Sequence, residues 1–313
     1  MTTTAYSSVS VLMAVPITAS MLSAGTTIVE PDPALGETMW VSAGTYAVGA
    51  ERISNHKVYS CVQAHSGRSA LPEADPDYWL FKRPSNLFAP FDFYRSTAAK
   101  ATGSLTYKLQ VPFFSDVKIF GAVGDQVQII ARDAPGGAIL KQSTQDLWEQ
   151  ALGFWELLFS PLGVRSTVEL TGIPISPTSE LTVTVSAGPT AAVELGTLMV
   201  GEWRSLTGGT GGTEYGSEAE PRSYSYIKFY DDGTFEIKRR PGATDLTLSA
   251  VLDADQAEYT VGLLQQVLDV PVAISATDVP GYGYLSALGL ISGRVKPVNS
   301  KEAQLAARVK GII

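Results

Sequence analysis

The residues best suited to chemistry in this chain are few and close together: His56, Cys61 and His65 are its only histidines and its only cysteine. Their proximity raises a metal or nucleophile reading. If Lys57 to Ala64 is a strand, Cys61 and His65 share a face while His56 points the other way, because side chains alternate along a strand. Three ligands then fail to converge and no fourth is at hand, so a closed zinc site is not expected. A Cys–His nucleophile also needs a group that orients the base, and this stretch supplies none. Cys61 reads as a small buried apolar residue, and a lone cysteine forms no internal disulfide. A glycoside hydrolase needs two carboxylates roughly 5–10 Å apart across a cleft. Glu149, Glu156, Asp231 and Asp232 are candidates, but no spacing selects a pair. The run Gly208-Gly209-Thr210-Gly211-Gly212-Thr213 lacks the Gly-Lys-Ser/Thr ending of a phosphate loop and reads as a mobile or interface loop. No catalytic residue, metal or cofactor is expected, and the chain is not read as an enzyme.

Composition narrows the classes further. The 23 basic and 31 acidic residues give a net charge of −8, which leaves no basic face for a nucleic-acid duplex. With 45% hydrophobic and 17% charged residues, the 313-residue chain can bury a real core and is not broadly disordered. Mean hydropathy is +0.10, and no apolar run approaches the ~18 residues of a membrane-spanning helix, so no membrane insertion is expected. Val9 to Ile28 is apolar, yet no Lys or Arg precedes Arg52, so a leader's positive first region is missing. Thr, Ser and Val dominate there and Pro16 divides it, which favours a strand or extended arm. Glu30-Pro31-Asp32-Pro33 then reads as a stiff linker, since each proline restrains itself and the residue before it.

The elements around the histidines form a distinct module. Between Gly36 and Lys82 stand Trp40, Tyr46, Tyr59, Tyr78 and Trp79, punctuated by Gly44, Gly49, Gly67 and Pro72. Thr45 to Val48 and Lys57 to Ala64 are β-rich, and Ser66 to Asp77 has loop chemistry. So small a unit relies on large rings for its core. The same rings could instead stack sugar rings, whose C–H faces pack on π-faces. Both roles stay open at this stage.

Beyond Arg83-Pro84-Ser85 the texture is that of a β-sandwich. Leu105 to Val111 alternates, and Val117 to Phe120, Gln126 to Ala131 and Leu181 to Val185 read as further strands. Turns at Val123-Gly124-Asp125 and Ala134-Pro135-Gly136-Gly137 separate them. Gln145 to Phe159, with Trp148, Phe154 and Trp155, fits a helix or a buried strand equally. Towards the C-terminus a hairpin is expected from Ile227 to Tyr230 and Phe235 to Ile237 around Asp231-Asp232-Gly233-Thr234, with Lys238-Arg239-Arg240 as a solvated edge. Asp253 and Gln256 suggest a capping box on a helix burying Ala257, Val261, Leu264 and Leu268. With the strand Pro271 to Ile274 this reads as one α/β crossover packed on the hairpin. Lys301 to Lys310 reads as a final short helix. The expected fold is mainly β with an α+β C-terminal part: a β-sandwich-like body and a small three-stranded aromatic module. The divisions are an arm and linker at 1–35, the module at 36–84, the body at 85–195 and the α+β part at 196–313.

Two resemblances rest on these residues. The series Trp40, Tyr46-Ala47-Val48-Gly49, Val58-Tyr59-Ser60-Cys61, Pro72 and Tyr78-Trp79 resembles the small carbohydrate-binding modules that accompany chitinases. That resemblance implies glycan contact through Trp40, Tyr46, Tyr59, Tyr78 and Trp79, with Tyr78-Trp79 as the tandem pair. The arm, the module, Asn86-Leu87-Phe88-Ala89-Pro90-Phe91-Asp92 and the later glycine-rich Leu198 to Gly216 together are similar to tail-tip or baseplate proteins of long-tailed bacteriophages. Leu87-Phe88 stands where that family has an Arg-aromatic step. This implies a virion structural protein made in the host cytoplasm, assembled in several copies beside neighbouring tail and baseplate proteins, and able to touch host cell-surface polysaccharide. A carbohydrate-binding receptor-recognition protein is the alternative, and a glycoside hydrolase carrying the module is a further one.

Overall fold

Strand-forming patterns dominate the chain, and the computed structural model accordingly has 48% strand and 11% helix, a mainly β fold with its main helix towards the C-terminus. It describes residues 8–92, 97–148, 153–159, 163–209, 211–238, 242–277, 279 and 282–312. Contacts divide the chain into two units, one of residues 15–200 and the other of residues 1–14 with 201–313.

In the unit of residues 15–200, four antiparallel strands lie in the order Ile139–Asp146, Gln126–Arg132, Glu180–Ser186, Ser104–Gln110. Their alternation is what builds the core. Leu105, Tyr107 and Leu109 sit opposite Val185, Val183 and Leu181, so every second residue falls in one buried row. That row packs with Val117, Ile119, Val168, Leu170 and Leu198 in a single apolar cluster. Asp116–Phe120 is buried at every position, as expected of a strand covered on both faces. Gly136 turns the Ala134 to Gly137 loop with φ of 68°, a conformation that favours glycine. The ambiguous stretch after Gln145 resolves into the end of a strand and a short helix, Phe154–Phe159, whose described side chains are exposed. Its aromatic rings are therefore not core.

The other unit is built mainly on one antiparallel sheet. Its strands run in the order Gly201 to Ser205, Ser10–Ala14, Val272–Ser275, Ser286–Pro297, Glu302–Gly311, Gly242–Asp253. Gly212–Thr213 and Glu218–Ser223 both pair with Gly242–Asp253. Four expectations need correction here. First, Lys301 to Lys310 is strand, because Ala303, Leu305, Ala307 and Val309 are buried in alternation between two neighbouring strands. Its Ala, Gln and Leu content suits a helix, but pairing on both edges overrides local preference. Second, Gly242–Asp253 and Val272–Ser275 are not adjacent and run antiparallel through two intervening strands, so the helix between them makes no parallel crossover. Third, the helix Ala257–Gln266 begins as a 3₁₀ turn at Ala254–Gln256, and Asp253 makes no side-chain cap. Fourth, the helix buries Thr260, Leu263, Leu264 and Val267, while Val261 and Leu268 are exposed. The hairpin Tyr226–Phe229 with Phe235–Lys238 forms as expected, with Gly233 at φ 82° in its turn, and it pairs with no other described strand.

Candidate functional site

The aromatic module is built on the antiparallel strands Glu51–Ser54, Lys57–Cys61 and Trp79–Pro84. Asn55 and His56 join the first two strands, both with positive φ, at 49° and 65°, the pattern of a two-residue type I′ turn. A second small pairing brings Tyr46 opposite His65. Together these strands gather Tyr46, Tyr59, Cys61 and Trp79 into the module's core, with Trp40 and Tyr78 half-buried against it. Tyr46 meets Trp79 edge to face at 5.0 Å, and its hydroxyl both accepts from the Val41 amide and donates to the Val41 carbonyl at 2.8 Å.

This placement corrects the sugar-stacking role expected of three rings. Tyr46, Tyr59 and Trp79 are only 5%, 6% and 2% exposed, so no pyranose can lie on them. Burial, with Glu73 as a lesser cause, holds the Tyr59 phenol above its ordinary range. Tyr78 keeps partial exposure, but the Arg68 guanidinium lies 3.8 Å over its ring and is fixed there by Asp75 at 2.8 Å. Tyr78-Trp79 is thus not a pair of open faces. It is one core ring beside one ring capped by a cation. His65 sits among Tyr46, Tyr78 and Trp79 at centroid distances of 5.2–5.5 Å. Cys61 donates to the Gln63 carbonyl at 3.0 Å, and the His56 ring is engaged elsewhere. Among the described residues no three His, Cys, Asp or Glu side chains are placed to hold a metal ion.

A buried polar joint ties the module to the β-sandwich. The Asn86 side chain donates to Asp32 Oδ2 at 2.6 Å and to the Lys100 carbonyl at 3.0 Å, while its Oδ1 accepts from the Lys100 amide at 2.8 Å. Glu37 accepts from the Asn86 amide at 3.0 Å, from Arg83 at 2.9 Å and from the Asp32 amide at 3.0 Å. Asp32, Glu37 and Asn86 are all buried. Burying such groups is tolerable only because each has partners on both sides of the joint. An aromatic file runs alongside. His56 stacks on Phe88 at 3.9 Å, Phe88 meets Phe91 at 5.9 Å and Phe91 meets Tyr107 at 5.5 Å. His56 Nδ1 also lies 2.5 Å from Glu30 Oε2. The Pro-rich linker, the hairpin turn and the Asn86 to Phe91 segment are therefore joined by hydrogen bonds and stacked rings into one mount. The Asn86 segment and the linker stand out separately in the sequence, and the signal that joins them is a carboxylate between two prolines and an Asn just beyond a third.

The other candidates lie apart. Asp231 and Asp232 stand at the hairpin tip. Asp232 Oδ1 accepts from the Thr234 hydroxyl at 2.6 Å and from the Thr234 amide at 2.9 Å, which pulls its carboxyl below the ordinary range. That is turn chemistry. Glu149, Arg239 and Arg240 lie outside the described residues, as does the Glu156 side chain, and Lys238 is exposed. One position of the glycine run packs tightly: a Cβ on Gly211 would lie 2.2 Å from the Thr207 carbonyl oxygen, so this residue must be glycine to let two backbones meet. Compared with known proteins, the chain matches no family model, no curated sequence and no solved structure.

Proposed function

We propose that this chain is a structural component of the tail tip or baseplate of a long-tailed bacteriophage, assembled in several copies and carrying its aromatic module as a fixed knob. The observation that supports this reading most is the large apolar surface left open on both units: the helix Phe154–Phe159 in one and the hairpin Tyr226–Lys238 in the other. Exposed apolar patches of this kind mark contact surfaces, and a ring of identical subunits supplies such contacts repeatedly. The joint of Asp32, Glu37 and Asn86 suits the same role, since a part of an assembly that transmits force gains from a module that cannot swing. The test is chemical cross-linking of purified particles followed by peptide identification. Ring-sized species containing this chain are expected, and finding it in host cytosol yet never in particles would refute the assignment.

Contact between the knob and host polysaccharide is a narrower proposal, carried by the half-buried Trp40, since Arg68 covers Tyr78. In a polysaccharide pulldown, Trp40→Ala should lose capture while staying folded; capture equal to that of the unaltered protein removes the sugar role.

A further inference from the structure

Trp148 is a large ring left open beside the four-strand sheet of the sandwich. The register sets Gln126 between Asp146 and Ser186 in one cross-strand row. The two-residue period of a strand puts these three on the face opposite the buried Val127 and Val185. The same alternation runs on past Asp146: Leu147 is fully buried, and Trp148 turns outward and stays 48% exposed. A neighbouring loop meets this row. Gly124 packs so closely on the strand Glu180–Ser186 that a Cβ would lie 3.1 Å from the Ser186 carbonyl oxygen. Next to it, the Asp125 amide donates to the Ser186 carbonyl at 2.9 Å, and the Asp125 carbonyl accepts from the Leu147 amide at 2.9 Å. The result is an open hollow of about 580 Å³ lined by Asp125, Gln126, Asp146, Trp148, Ser186 and Gly188.

We propose that this hollow binds a neutral saccharide, with one sugar ring stacked on Trp148 and its hydroxyls donating to Asp125 and Asp146. The site is separate from the knob and does not depend on the tail reading. Three observations carry it. The indole is fixed yet open. Its Nε1–H donates to Asp125 Oδ1 at 3.0 Å, and among the described residues no ring or cation lies over it, whereas Arg68 caps Tyr78. An oriented aromatic face beside hydrogen-bonding groups is what the C–H face of a pyranose packs on. The acceptors are in place. Asp146 Oδ1 accepts from Gln126 Nε2 at 3.1 Å, so each carboxylate keeps its second oxygen for a ligand hydroxyl. Among the described residues neither carboxylate is in an ion pair. Charge and size select the ligand. No Lys or Arg lines the hollow, so an acidic sugar or a phosphate would meet two carboxylates with nothing to offset them. An ammonium or guanidinium head suits the charge, but it would leave most of the hollow unfilled and find one ring where such heads favour an aromatic cage.

Binding is read on the purified full chain by saturation-transfer NMR and calorimetry. The probes are neutral trisaccharides of glucose, galactose and N-acetylglucosamine, with tetramethylammonium, arginine amide and a galacturonate trimer as charged controls. At least one neutral trisaccharide is expected to bind. Trp148→Ala should weaken that binding by about tenfold or more, as for a truncated anchor ring, and Trp148→Phe should keep most of it. Gly188→Leu tests the site with the ring untouched. A Cβ there meets nothing within 4 Å, so the added side chain enters the hollow without a clash and should block the sugar. It decides the matter alone if Trp148→Ala does not fold. Trp40→Ala should leave this binding unchanged, which separates the hollow from the knob. The proposal is overturned if no neutral probe binds at about 10 mM, or if the charged controls bind in preference. It is equally overturned if folded Trp148→Ala or Gly188→Leu binds as the unaltered chain does, or if Trp40→Ala abolishes binding. No particle enters these measurements, so their failure leaves the tail assignment standing, and failure of the particle cross-linking leaves this site standing.

Discussion

Tyr107 lies at the foot of the buried joint, fully enclosed. Its hydroxyl donates to the Leu87 carbonyl at 2.9 Å and more weakly to that of Asn86 at 3.3 Å. Burial first, then the charges of Asp32 and Glu37, hold its phenol well above the ordinary value of 10.0. The sign of the linkage follows. Below about pH 10 the phenol is neutral folded or unfolded, so its contribution is fully present. Above that pH the unfolded chain ionises Tyr107 and the folded chain does not, so stability falls as pH rises. Denaturant titrations from pH 8 to about 11.5 should therefore show an alkaline loss that is shallower in Tyr107→Phe. At neutral pH that variant should cost about 1 kcal/mol, the worth of a hydrogen bond whose acceptors are left behind. Equal alkaline slopes for both proteins would detach the effect from this residue. Which residues lie inside was only partly readable from their types. Trp79 and Tyr59 are as suited to stacking a sugar as to filling a core, and their burial follows from the strand register that sets Trp79 opposite Cys61.

At the level of elements, legibility followed periodicity. Ser104–Gln110 and Gln126–Arg132 alternate, and both were readable because one face of each is core and the other is not. The Tyr226 to Lys238 hairpin was readable from its turn residues alone. The helix Ala257–Gln266 is legible and buries Leu264 as expected, but Val261 and Leu268 lie off its buried face. Ala257, Val261, Leu264 and Leu268 make a plausible apolar stripe, while the actual stripe includes Thr260, whose hydroxyl donates to the Leu206 carbonyl at 2.8 Å. A polar residue satisfied in the core carries no hydrophobic signal. Glu302–Gly311 failed for the opposite reason: its small alanines satisfy either period, and only its two strand neighbours decide. The joint was illegible as a site because its members, Asp32, Glu37, Asn86 and Tyr107, are spread along the chain and meet only after the module folds back.

For the molecule as a whole, the informative fact is that chain order and unit order disagree. Ser10–Ala14 belongs with residues 201–313 and lies between two of their strands, paired to Gly201 to Ser205 on one side and to Val272–Ser275 on the other. Val9, Val11 and Leu12 are fully buried there. Burying three such side chains stabilises by about 1.5–3 kcal/mol each, and removing the strand also leaves one edge of each neighbouring strand unpaired. The sum is comparable with the ~5–15 kcal/mol that holds a typical domain together. The four-strand sheet of the sandwich and the module's three-strand sheet take none of their pairings from this strand, since those pairings lie within residues 15–200. A chain lacking residues 1–14 should therefore separate the two: hydrogen exchange read by mass spectrometry should remain slow across the described strands of 15–200 and become fast across 242–311. Equal protection of both units in the shortened chain would show that the N-terminal strand decorates its sheet without sustaining it. Uniform loss would instead show that residues 15–200 cannot hold their fold unless the other sheet is intact.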